Sequence, residues 1–169
     1  AGPSHISEIK FVIDKLSSYG CDLTLVDGAF SRRTLASPLI TKSTILAVGA
    51  AYSKNMEITI ADTKFLLQLF NLPEIKSAII RGLCKNIKKV GYITSTGESY
   101  DLPVESTFQS TSVIAEILKT HPNYLILKGV ITDKILLPII HSMEQLSKLQ
   151  IIVQDATKLL ISPKSFELF

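Results

Sequence analysis

The sequence predicts an α/β fold: a mostly parallel sheet of about five to six strands, with helices on both faces to make three layers. Three observations predict it. Short apolar runs at 23–26, 45–48, 124–127 and 149–153 have the length and composition of strands buried on both faces. Longer stretches with apolar residues at helical spacing lie between the runs. The 169 residues suit one α/β domain, 1–169, large enough to bury a core without covalent staples.

Ile6, Ile9, Ile13 and Leu16 predict a helix over about 5–19, capped by Ser4 or Ser7 and stopped by Gly20. Residues 22–26 follow as a buried strand, ended by Asp27-Gly28. A long connection, 27–42, carries two arginines, several hydroxyls and Ser37-Pro38; connections of that length are usually functional or mobile. A second buried strand over 43–48 closes on Gly49-Ala50-Ala51, and 55–70 reads as a helix with Phe65, Leu66, Leu69 and Phe70 on its apolar face. Pro73 suits the first turn of a helix over about 73–85 that buries Ile75, Ala78, Ile79 and Leu83.

Residues 90–94 predict a strand, and 100–102 pair back on it as a hairpin arm. A helix over 109–120 turns Val113, Ile114 and Ile117 inward. The turn Pro122-Asn123 leads into the strand at 124–127. Thr132 is placed to cap a helix running to about 146, in which Pro138 predicts a kink or a late start. Strands at 149–153 and 158–161 complete the pattern. In such sheets, ligands bind beyond the carboxyl ends of the strands. The loops after Val26, Val48, Leu127 and Val153 are therefore the predicted site regions.

Composition narrows the function classes. Hydrophobic residues make up 46% and charged residues 20%, which excludes a disordered or collagen-like chain. The formal charge of +3 is too mild to argue for nucleic acid. No apolar stretch approaches the length of a membrane span. Cys21 and Cys84 are the only cysteines and lack metal-site spacing, which predicts a cytoplasmic, reducing setting. Cys84 lies beside Lys85, a neighbour able to lower a thiol pKa. Residues 1–89 hold 12 Lys+Arg against 7 Asp+Glu, so an anion site is expected in the first half.

Two constellations point to ligand chemistry. The first is Asp27-Gly28 at the end of a strand, followed by Arg32, Arg33 and Ser37. A strand-end carboxylate is where nucleotide hydrolases hold magnesium, glycine admits close approach, and arginines clamp phosphate or carboxylate. Asp-Gly after a strand is also ordinary turn chemistry. The second is Gly49 with its small neighbours, leading to Lys54, a candidate anion nest. Small residues after a strand more often serve close packing. No GxGxxG or GxxxxGK[ST] is present, and the three histidines lack metal-ligand spacing. No complete catalytic motif is present.

The run Val26-Asp27-Gly28-Ala29, with Arg32 or Arg33, Ala36-Ser37-Pro38, Ile45-Leu46-Ala47 and Gly49-Ala50, resembles a specific family. It is similar to the smaller reactivase subunit of bacterial adenosylcobalamin-dependent lysine aminomutase, a family related to P-loop NTPases. Ala1-Gly2-Pro3 and the helix after it resemble the segment preceding that motif. The likeness is dense over about residues 1–75. Lys42-Ser43, Val48 and Phe65 depart from the family's acidic-Gly pair, threonine and histidine. The resemblance implies the C-terminal part of a longer protein whose phosphate loop lies upstream. It implies Asp27 facing magnesium or a nucleotide, with Arg32, Arg33 and Ser37 as loop contacts.

The leading expectation is therefore a nucleotide-linked, chaperone-like factor acting with an ATPase partner subunit on a cobalamin-dependent aminomutase. Alone it is expected to be a poor ATPase. Two other classes stay open: a small-molecule enzyme or binding domain for a phosphorylated or carboxylated ligand, and a non-catalytic interaction module. Self-association into a homo-oligomer is also open, and neither a nucleic-acid nor a membrane partner is expected.

Overall fold

The computed structural model describes residues 3, 5–28, 33–104, 111–143 and 148–168. The chain divides into two compact units, Ala1–Thr59 and Ile60–Phe169.

In the first unit, α1 spans Ile6–Ser18. Glu8 reaches back to accept the His5 N–H at 3.2 Å, so the cap comes from His5 and Glu8 rather than Ser7; Ser4 lies outside the described residues. Gly20, at φ 88°, ends the helix as expected. Ile9 is buried, whereas Leu16 stays partly exposed. A 3₁₀ turn, Arg33–Ala36, buries Leu35.

The two strands expected at 22–26 and 43–48 are absent: both segments lack regular secondary structure and pair with no described strand. Leu23, Leu25, Ile45, Leu46 and Val48 face solvent, with Leu25 82% and Ile45 94% exposed, while Val26 is half-buried. Strand-type composition needs a neighbouring backbone edge to become a strand. Neither segment pairs with such an edge among the described residues.

Helix α2, Met56–Phe70, buries Phe65 and Leu69. In the second unit, α3 spans Ala78–Lys85, β1 Val90–Ile93, β2 Ser99–Asp101 and α4 Thr111–Leu118. Next come β3, Tyr124–Leu127, β4, Ile131–Thr132, and α5, Asp133–Met143. The chain closes with β5, Gln150–Val153, β6, Leu159–Leu160, and α6, Pro163–Glu167.

The main sheet has four strands in the order β2-β1-β3-β5. It is mixed: β1 runs antiparallel to both β2 and β3, and only β3 and β5 are parallel. The expected parallel sheet of five to six strands is therefore corrected. The tight β1–β2 hairpin enforces one antiparallel pair, and β4 and β6 form a separate two-stranded parallel sheet.

Side chains alternate across the sheet. Leu125 and Leu127 join one cluster with Phe65, Leu69, Ile114, Leu118, Ile135 and Ile139, contributed by α2, α4 and α5. Ile126 and Ile152 join the opposite cluster with Ile80, Leu83, Cys84 and Ile87, from α3 and the turn after it. Helices thus cover both faces of this sheet.

Three local expectations shift. Helix α3 starts at Ala78, after Ser77 accepts the Ile80 N–H at 3.3 Å, not at Pro73. This phase buries Cys84 and leaves Ala78 and Ile79 exposed. In α4, Leu118 is buried with Ile114 and Ile117 while Val113 is partly exposed; the expected start at 109 lies outside the described residues. Thr132 does not cap α5: its hydroxyl is buried without a hydrogen-bond partner among the described residues. Helix α5 runs through Pro138, and residues 144–147 lie outside the described set.

Candidate functional site

The sequence-predicted site lies in the first unit. Asp27 is exposed, and its Oδ1 accepts the Gly28 N–H at 2.6 Å. Gly28 adopts φ 88°, a left-handed conformation that glycine enters without the side-chain penalty of other residues. The Asp27 carboxylate is thus held against the backbone of the residue that follows it. Asp27 ends an irregular segment, not the buried strand on which the magnesium comparison relied.

Arg32 lies outside the described residues. Arg33 opens the 3₁₀ turn and is half-buried. Ser37 is completely buried. Its hydroxyl accepts the Leu39 N–H at 3.3 Å, and its carbonyl accepts the Ile40 and Thr41 N–H groups at 2.9 and 3.0 Å. Thr41 Oγ1 also donates to the Ser37 carbonyl at 3.3 Å. Ser37 therefore organises the turn from within.

Gly49 is exposed, and its carbonyl accepts the Tyr52 N–H at 3.0 Å. No heavy atom lies within 4 Å of the point where its Cβ would stand, so packing does not demand glycine there. Lys54 is exposed. Among the described residues, no ion pair joins Asp27 to Arg33 or Lys54. The structure brings Asp27 and Gly28 together but forms no closed anion clamp from the described set.

Among the described residues, no three His, Cys, Asp or Glu side chains gather as a metal group. Magnesium is commonly held by one or two carboxylates with waters and substrate phosphates. An exposed carboxylate such as Asp27 would fill one such position, and phosphates and water would have to fill the others.

The second unit contains features the sequence reading missed. An open cleft of about 440 Å³ is lined by Asn123, Tyr124, Lys148, Leu149 and Gln150, at the amino ends of β3 and β5. The site rule for α/β sheets directs attention to the other end of these strands. There, the Lys128 N–H donates to the Lys89 carbonyl at 2.8 Å, and Lys128 Nζ donates to the Ile87 carbonyl. Asp101 Oδ1 accepts the Lys88 N–H at 2.9 Å. The signal in the sequence was the Lys88-Lys89 pair directly before a strand.

Cys84 corrects another expectation. Burial pushes its thiol pKa up, only partly opposed by the Lys128 ammonium; Lys85 is not among the causes. A buried thiol with a raised pKa is a poor nucleophile.

Among the described residues, no helix is long and apolar enough to cross a membrane. No family model, curated protein or solved structure matches the chain.

Proposed function

We propose that the chain is an accessory domain for nucleotide-linked reactivation of a cobalamin-dependent aminomutase, acting through protein contacts with an ATPase partner. The observation that carries this reading is the exposure of the segments flanking the motif. Leu23 and Leu25 lead to Asp27, and Ile45, Leu46 and Val48 lead to Gly49; all five are exposed. Covering such side chains contributes about 1.5–3 kcal/mol each when burial is complete. A partner edge laid beside these segments would turn them into strands and place Asp27 and Gly49 at strand ends. The resemblance over residues 26–50 names the kind of partner.

In this reading Asp27 faces magnesium or the nucleotide, Gly28 admits close approach, and Arg32, Arg33 and Lys54 supply positive charge. Ser37 shapes the loop. The test combines the chain with an inactivated adenosylcobalamin-dependent lysine aminomutase and its ATPase partner. Faster ATP-dependent replacement of damaged cobalamin is expected, with no magnesium-ATP turnover by the chain alone. Unchanged replacement, or appreciable turnover by the isolated chain, contradicts the reading.

A broader reading, a non-catalytic interaction module, is favoured by exposed apolar residues on the helical segment: Met56, Ile58 and Ile60 on α2, and Ile79 on α3. Binding of the chain to a protein partner without any nucleotide dependence would select it.

A further inference from the structure

We propose that the outer face of α3 and the turn after it form a docking surface for an acidic segment of a partner protein. The proposal stands on the second unit alone and does not depend on the reactivation reading.

Residues 75–97 contain Lys76, Arg81, Lys85, Lys88 and Lys89 and no Asp or Glu. All five cations are on exposed residues. The helix phase explains the arrangement. Ile80, Leu83 and Cys84 pack toward the sheet, so Arg81 and Lys85, one turn apart, fall on the outer side. Among the described residues, Lys76, Arg81, Lys85 and Lys88 form no ion pair. Lys128 adds a half-buried cation, its Nζ anchored to the Ile87 carbonyl beneath the turn. Asp101 already shows how a carboxylate meets this turn, with Oδ1 accepting the Lys88 N–H at 2.9 Å.

The same face has an apolar element. Ile79 is 76% exposed on the flank of the outer side opposite Arg81. Ala78 and Gly82 make the floor between them, and no heavy atom lies within 4 Å of a Cβ built at Gly82. A small-residue floor lets another chain approach closely. The arrangement fits a segment bearing carboxylates on one side and an aliphatic residue on the other. Single-stranded nucleic acid would also seek cations, but it gains much of its affinity by stacking bases on aromatic rings. Residues 75–89 contain no Phe, Tyr or Trp. Charge complementarity combined with an aliphatic anchor favours a protein segment.

The test is fluorescence anisotropy with the full chain. The probes are a short labelled amphipathic Glu/Leu peptide, the same peptide with Lys for every Glu, and a short single-stranded DNA. Preferential binding of the acidic peptide is expected, weakening roughly tenfold as salt rises from low to physiological strength. Arg81→Glu combined with Lys85→Glu should raise its Kd by roughly tenfold or more. Ile79→Ser should raise it severalfold at either salt, and Lys164→Glu, a charge change on α6, should leave it nearly unchanged. Circular dichroism melts establish that each variant is folded; Lys88→Glu provides a second charge reversal outside the helix. Absence of binding, equal binding of both peptides, tighter binding of DNA, or folded variants that bind like the parent would overturn the proposal.

Discussion

The backbone N–H of Ser162 donates to Asp133 Oδ1 over 2.9 Å, joining the N-cap of α6 to the first turn of α5. Ser162 Oγ accepts the Ser165 N–H at 3.2 Å, so one short cluster fixes both helix starts. The Ser162 N–H, followed by the Ser165 hydroxyl, holds the Asp133 carboxyl below its ordinary pKa. A carboxylate depressed by folding stabilises the native state above its unfolded pKa, and that contribution is lost as pH falls through the folded value. Asp133→Asn should therefore cost about 1 kcal/mol at neutral pH, a modest figure for a solvent-screened site. The gap to the parent should close on acidification. Urea unfolding at neutral and acid pH measures it; a pH-independent gap would assign the loss to something other than the charge.

Gly91 sits where β1 meets β2, opposite Asp101 in the ladder. A Cβ there would stand 2.4 Å from the Tyr100 carbonyl oxygen and 2.8 Å from Ile87 Cγ2. The backbone contact cannot swing away as a flexible side chain would. Gly91→Ala is expected to destabilise by about 1–3 kcal/mol. Gly82→Ala, in helix α3 with open space around it, should be neutral or stabilising by up to about 1 kcal/mol. Denaturant midpoints of the two variants should move in different directions or by clearly different amounts; equal losses would contradict the steric account.

The second unit was more legible in the sequence than the first. The strand at 124–127 was found residue for residue because a four-residue apolar run lies between Pro122-Asn123 and Lys128-Gly129. The β1–β2 hairpin was legible from its hydroxyl- and glycine-bearing turn. The segments at 22–26 and 43–48 carry equally good strand composition, but pairing is supplied by a neighbouring edge that local sequence does not specify. Apolar residues at 75, 78, 79, 80, 83, 84 and 87 permit two faces for the following helix. The Ser77 cap selects the one with Cys84 and Ile87 inward. For the candidate site, the left-handed backbone at Gly28 is legible, because glycine is the residue that enters it without a side-chain penalty. The burial of Ser37 is not, because it follows from how the 33–41 turn folds over its own carbonyls.

The two cysteines should separate cleanly by reactivity. Cys21 is exposed, whereas Cys84 is buried and its thiol pKa is pushed up by that burial. Iodoacetamide at mildly alkaline pH is expected to modify one thiol quickly and the second only as the chain unfolds. Cys21→Ser should remove the fast phase and leave the slow one. Mass spectrometry of timed samples reads both; a fast phase that survives Cys21→Ser would show that Cys84 is more accessible than the described packing permits.

Leu25 and Ile45 supply the sharpest contrast between stability and binding. At 82% and 94% exposure they contribute little to the packing of the isolated chain. Leu25→Ser and Ile45→Ser should therefore change its unfolding free energy by no more than about 0.5 kcal/mol. Leu69→Ala, removing a side chain that is 1% exposed, should cost about 2–5 kcal/mol. If a partner edge covers the two segments, each serine substitution should weaken its binding by roughly ten- to a hundredfold while the chain itself remains as stable as before. Chemical unfolding and titration against the proposed ATPase partner supply the two readouts. Loss of several kcal/mol from the isolated chain would place these side chains in its own core. Unchanged affinity with unchanged stability would remove them from the partner surface.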